Sequence, residues 1–86
     1  MVLVKRLVLD VLKPHQPNAL EFSLALAKAG GDYRVCITVV EVDESTETLR
    51  VVVEGGSIAF DAVQACISDL GGSLHSIDEV EVRSEP

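Results

Sequence analysis

Apolar and polar residues alternate with a period of two along Leu3 to Lys13, where Leu7, Leu9 and Val11 interleave with Arg6, Val8, Asp10 and Leu12. That period belongs to a β-strand, with the odd set packed under helices and the even set lining the other face. Pro14 removes a backbone donor and ends the strand. Asn18 to Ala29 then reads as a helix: Asn18 stands at an N-cap position with Glu21 three residues on, the run is rich in Ala, and Gly30-Gly31 closes it. This helix carries two apolar stripes. Phe22, Ala25, Leu26 and Ala29 form one; Leu20, Leu24 and Ala27 form a second, roughly opposite, where a surface helix needs only one.

The pattern returns to period two over Tyr33 to Asp43 and again over Thr48 to Glu54, with the polar turn Asp43-Glu44-Ser45-Thr46-Glu47 short enough for a hairpin. Gly55-Gly56 follows, and Ser57 is the expected cap of a second helix whose stripe is Phe60, Val63, Ile67 and Leu70. After Gly71-Gly72, Ser73 to Arg83 reads as a last strand. Its apolar residues Leu74, Ile77, Val80 and Val82 do not share one parity, and a bulge between Ile77 and Val80 reconciles them. The order is βαββαβ. Right-handed crossovers turn it into a ferredoxin-like α+β domain over residues 1–86, with a four-stranded antiparallel sheet in the order 4-1-3-2 and both helices on one face.

Composition narrows the function. The chain has 86 residues, 48% of them hydrophobic but only one Tyr and two Phe, so aliphatic side chains must fill the core. Its mean hydropathy of +0.33 is too apolar for disorder. The formal net charge of −7 repels nucleic acid and anionic membranes and suits cations or basic partners. Cys36 and Cys66 are far apart, lack a C-x-x-C spacing, and read as reduced thiols buried as small hydrophobes. The start M-V-L-V-K-R has no charged segment before an apolar run, and no run is long enough for a membrane helix, so a soluble cytoplasmic protein is expected.

Several functions of this topology are excluded by missing side chains. An RNA-recognition motif stacks bases on strand aromatics, and T-L-R-V-V-V-E (48–54) has none. A copper chaperone needs C-x-x-C after the first strand, where this chain reads K-P-H-Q-P. The acidic turn lacks the ligand ladder of an EF-hand, and Gly55-Gly56-Ser57 lacks the lysine of a phosphate loop. No nucleophile, histidine and orienting acid form a recognisable motif.

One cluster remains. Antiparallel pairing of the first and fourth strands brings Asp10, Lys13 and His15 toward His75, Ser76 and Asp78, at one end of the sheet. Such a group is either a ligand site or a cross-strand polar network. His-x-x-Asp is not a zinc spacing, and calcium wants about six to eight oxygens, more than one chain offers there, though a site shared across a subunit interface could supply them. The outward sheet face, with Val8, Leu12, Val40, Val42 and Val52, is expected to form an apolar patch that drives self-association.

V-L-D-V-L-K-P-H (8–15), I-T-V-V-E-V-D (37–43) and G-G-S-L-H-S-I-D-E-V (71–80) together resemble the archaeal uncharacterised family DUF211, from near residue 5 to near residue 82. The resemblance implies a ferredoxin-like fold assembled into ring-like homo-oligomers, and metal binding, calcium included. The family pattern runs over Asp10, His15, Asp43, His75, Asp78 and Glu79. Of these, Asp10, His75, Asp78 and Glu79 are the candidate metal ligands, and His15 with Ser76 the candidate contacts to another small ligand. The expected function is therefore a non-enzymatic homo-oligomer that binds a divalent cation or small ligand near the junction of the first and fourth strands. An ACT-like regulatory module that senses a small molecule is the alternative, and a hydrolase using Asp10 and His75 is a third.

Overall fold

The computed structural model describes residues 1–86. Six elements follow in the order β1 (Val2–Pro14), α1 (Ala19–Ala27), β2 (Arg34–Val42), β3 (Thr46–Glu54), α2 (Phe60–Asp69) and β4 (Ser73–Ser84). The strands form one antiparallel sheet, β2-β3-β1-β4, so the first strand lies inside it as its alternation requires. This is the ferredoxin-like α+β fold. Long outer ends of β1 and β4 stretch the molecule to 48 × 22 × 17 Å.

The core lies between the sheet and the helices. Leu7, Leu9 and Val11 of β1 and Leu49, Val51 and Val53 of β3 meet Phe22 and Leu26 of α1, Val63 and Ile67 of α2, and Ile58. Of the two α1 stripes the one with Phe22 and Leu26 faces the core, as Val63 and Ile67 of the α2 stripe do, while Leu20 and Leu24 on α1 stay 67% and 53% exposed.

Asn18 does cap α1. Its side-chain oxygen accepts from the Glu21 N–H at 2.9 Å, and the Asn18 N–H donates to the Glu21 carboxylate at 3.2 Å. Asn18→Ala therefore costs about 1 kcal/mol in urea denaturation, the usual value of an N-cap, and an unchanged midpoint would contradict the reciprocal bonds. The helix stops at Ala27, before Gly30-Gly31, and Gly30 serves a different purpose. The Tyr33 ring lies where a Cβ on Gly30 would stand. That tyrosine Oη accepts from the Ala59 N–H at 2.8 Å.

Ser57 does not cap α2. The helix begins at Phe60 with Ala59 in the cap position and no side-chain cap. The reason is that residues 55–58 are still tied to β1: the Gly55 N–H donates to the Lys5 carbonyl and the Ile58 N–H to the Val4 carbonyl. Tyr33 supplies an acceptor for the N–H of the cap residue itself, Ala59. At the far end Gly71 adopts φ +83°, the left-handed conformation that ends a helix and favours glycine.

The expected bulge in β4 is present. Val8 pairs with Glu79 and Leu9 with Ile77, leaving Asp78 as the extra residue; a second shift leaves His75 extra between Leu74 and Ser76. The thiols differ from expectation. Both are free, but Cys36 is exposed because it faces outward on an edge strand, and only Cys66 is partly buried. Burial, helped by Asp69, pushes the Cys66 thiol up from its ordinary pKa.

Candidate functional site

The uncovered sheet face is built from rows that cross the strands. One row is Cys36, Val52, Val8 and Glu79; the next is Thr38, Arg50, Asp10 and Ser76. The first row is not the apolar patch that the sequence implies. Val8 and Val52 are only 3% and 6% exposed within a single chain. Arg6 lies two residues from Val8 on the same face, and its Nη1 donates to Glu54 at 3.0 Å while its Nε donates to Glu79 at 2.9 Å. These three charged residues form an ion-pair network on the same sheet face as the buried valine pair. Both carboxylates raise the pKa of the Arg6 guanidinium, Glu79 more than Glu54.

The second row opens into a cleft of about 260 Å³ lined by Asp10, Val40, Thr48, Leu49, Arg50 and Asp78. Asp10 reaches it by regular alternation from the centre of β1. Asp78 reaches it through the bulge: an extra residue in β4 lets Asp78 and Glu79 stand on the same face in succession, which a regular strand forbids. Ser76 fixes Asp78, its hydroxyl donating to Oδ1 at 2.6 Å. Thus three of the expected residues, Asp10, Ser76 and Asp78, do come together.

The others do not join them. Glu79 is tied to Arg6. His75, the second bulged residue, is exposed on β4 and does not line the cleft. His15 turns to the other side of β1, where its Nδ1 lies 3.1 Å from Glu47 Oε2 and its Nε2 3.0 Å from the Glu44 carbonyl. The two histidines therefore do not gather at one place. β1 separates them, because a residue beyond Pro14 leans on the β2–β3 hairpin and not on β4. Within one chain, no three His, Cys, Asp or Glu side chains come together in a way that could hold a metal ion.

A polar cluster of a different kind occupies the end of β1. Lys13 continues the inward odd set of the strand and is 1% exposed. Its Nζ donates to the carbonyls of Pro14 and Pro17, both at 2.9 Å, and forms an ion pair with Glu47 Oε1 at 2.8 Å. Glu47 is thus shared between Lys13 and His15. Lys13 first, and His15 second, holds the Glu47 carboxyl below the ordinary carboxylate pKa. The Glu47 carboxylate, then the Glu44 carbonyl, raises the His15 pKa above its ordinary value. Parity alone marks Lys13 as inward, which is the signal that could have located this cluster; Glu47 looks instead like part of a solvated acidic turn.

What the molecule defines is a small ferredoxin-like α+β protein with a mixed-charge cleft on its open sheet face. The chain belongs to the DUF211 family, described as uncharacterized ArCR, whose model matches residues 5–85. It is also 46% identical over 77 residues to the uncharacterized protein MJ0319 of Methanocaldococcus jannaschii, covering 90% of this chain and 79% of that protein. No helix is long and apolar enough to cross a membrane.

Proposed function

We propose that the protein is a non-enzymatic, ring-like homo-oligomer that binds a divalent cation or small ligand in the cleft between β1, β3 and β4. The carrying observation is that Asp10 and Asp78, from two strands, line one open cleft, with Ser76 orienting the second carboxylate. Two carboxylates are too few for calcium, which takes about six to eight oxygens, so water and a second copy of the chain complete the shell. Support for association comes from apolar surface that no element covers: Leu20 and Leu24 on α1, Val40 at the cleft, and Ile77, Val80 and Val82 along the β4 edge. These lie on different sides of the subunit, and contacts between unlike surfaces form rings where the rotation between copies closes.

Arg50 favours a second reading. A guanidinium in the same cleft opposes a bare cation but suits a small zwitterion, with its ammonium at Asp10 and Asp78 and its carboxylate at Arg50. That is the ligand class of an ACT-like sensor. Calorimetry with calcium alone and with an amino-acid panel separates the two. Asp10→Asn and Asp78→Asn each weaken the bound species by about tenfold or more, the worth of one lost charge-assisted contact. Arg50→Gln weakens only a zwitterion. Heat from neither ligand at millimolar concentration would dismiss the cleft as a site. For assembly, Val40→Asp lowers the particle size in light scattering and keeps the native far-UV CD; a wild-type monomer at ~100 μM, well above the concentration at which a stable interface holds, rejects the ring.

A further inference from the structure

Both ring nitrogens of His15 face oxygen acceptors. Nδ1 meets a Glu47 carboxylate oxygen at 3.1 Å and Nε2 meets the Glu44 carbonyl at 3.0 Å. Neutral imidazole has one N–H, so either tautomer leaves one nitrogen lone pair against an oxygen lone pair; only the imidazolium donates at both ends. The remaining groups around the ring agree with a cation there. Glu47 comes from β3, Asp43 and Glu44 from the turn, and Lys13, the opposing positive charge, is consumed by Glu47 Oε1, by the carbonyls of Pro14 and Pro17 and, at 3.5 Å, by the His15 carbonyl.

The two bonds join separate parts of the fold. His15 belongs to the loop between β1 and α1, Glu44 to the tip of the β2–β3 hairpin, and Glu47 to the first residues of β3. Beyond these side chains the tip is held by its own Asp43 N–H to Thr46 carbonyl bond at 2.8 Å. We propose that His15 is a pH-operated latch: as an imidazolium it fastens the tip of the β2–β3 hairpin to the loop after β1, and on losing its proton it releases the tip. The rest of the cluster stays in place, because Lys13 keeps its grip on Glu47 whatever the state of the histidine.

The direction in pH follows from linkage. The folded protein holds the His15 proton more tightly than the unfolded chain, so the latch contributes its full stability below the unfolded histidine pKa of about 6.5 and loses it as pH rises through the folded value. Glu47 sets the lower limit. Its carboxyl is depressed in the fold, so its contribution is present above the unfolded value of about 4.3 and is lost as pH falls through the folded one. Thr48, next to Glu47, lines the cleft, but the latch does not depend on what the cleft holds.

Nuclear magnetic resonance of the uniformly ¹⁵N-labelled wild-type protein tests this without any ligand. His15 should titrate above the ordinary histidine value of about 6.5, with both ring nitrogens protonated below its folded value. Amide exchange at Asp43, Glu44 and Ser45, divided by the intrinsic exchange rate at each pH, should rise by severalfold across the His15 titration. In His15→Gln, which keeps one donor and has no titration, that step should vanish at every pH. A His15 that titrates at or below the ordinary histidine value of about 6.5, or a tip whose protection stays flat through the His15 titration, overturns the latch.

Discussion

Lys13→Met lowers the stability of the protein by about 3 kcal/mol, although methionine matches the lysine stem in volume and is more apolar. The side chain of Lys13 has no exposure, and its ammonium is fully used: one carboxylate oxygen of Glu47 and the carbonyls of Pro14 and Pro17 account for three protons. Methionine removes all three donors at once. The two carbonyls are then left without partners beside a buried stem, each costing roughly 1–3 kcal/mol, and the Glu47 carboxylate keeps only His15. Lys13→Arg does not rescue, because a planar fork cannot point at three acceptors arranged around an ammonium. Urea denaturation at neutral pH reads the effect, and each kcal/mol also moves the melting temperature by roughly 4–8 °C in a domain of this size. A Lys13→Met protein within about 0.5 kcal/mol of wild type, the range of ordinary surface substitutions, would show that the buried ammonium contributes nothing net.

The same lysine shows where the sequence stops being legible. The strand faces and the β4 bulge follow from the parity of apolar residues, because burial of one sheet face allows only one register, and the sheet order follows from the element order and right-handed crossovers. The Asn18–Glu21 cap follows from two residues whose bonds are local. Lys13 obeys the same parity, yet a cation on an inward position reads as a strand end until Glu47 is known to stand opposite, and that pairing depends on the β1–β3 register. The burial of Val8 and Val52 is hidden for a similar reason. It depends on how neighbouring strands pair, as does the meeting of Arg6, Glu54 and Glu79 on that face, and no single segment announces either. In the candidate site, Asp10, Ser76 and Asp78 were legible through strand pairing. The departure of His15 toward β3 was not, since a loop beyond a proline carries no periodicity to follow, and Arg50 joins the site only because β3 pairs with β1 and sets it opposite Asp10.

Phe22→Ala has the largest effect expected of any single core change, about 3–5 kcal/mol. α1 has nine residues, too few for a helix to persist alone in water, so its existence rests on what its inner face touches. That face buries only two residues fully, Phe22 and Leu26. Phe22 is the larger, and its ring reaches across to the turn after α2, where Cζ would stand 3.3 Å from a Cβ placed on Gly72. It therefore joins both helices to the start of β4 as well as filling the core. Removing the ring leaves a cavity that rigid neighbours on β1 and β3 cannot close, and it leaves α1 held by Leu26 and the Asn18 cap. The outer stripe of Leu20 and Leu24 adds nothing to that anchorage in a single chain. Two outcomes follow: a urea midpoint well below wild type, and faster amide exchange in Ala19–Ala27 than in α2, which keeps Val63 and Ile67. Phe22→Leu retains most of the contact and recovers much of the loss. Should Phe22→Ala destabilise by less than about 1 kcal/mol, below the range for aromatic truncation in a core, α1 must be held chiefly by its outer face against another copy of the chain. In that event the midpoint falls on dilution, whereas anchorage through Phe22 leaves the effect of the substitution independent of protein concentration.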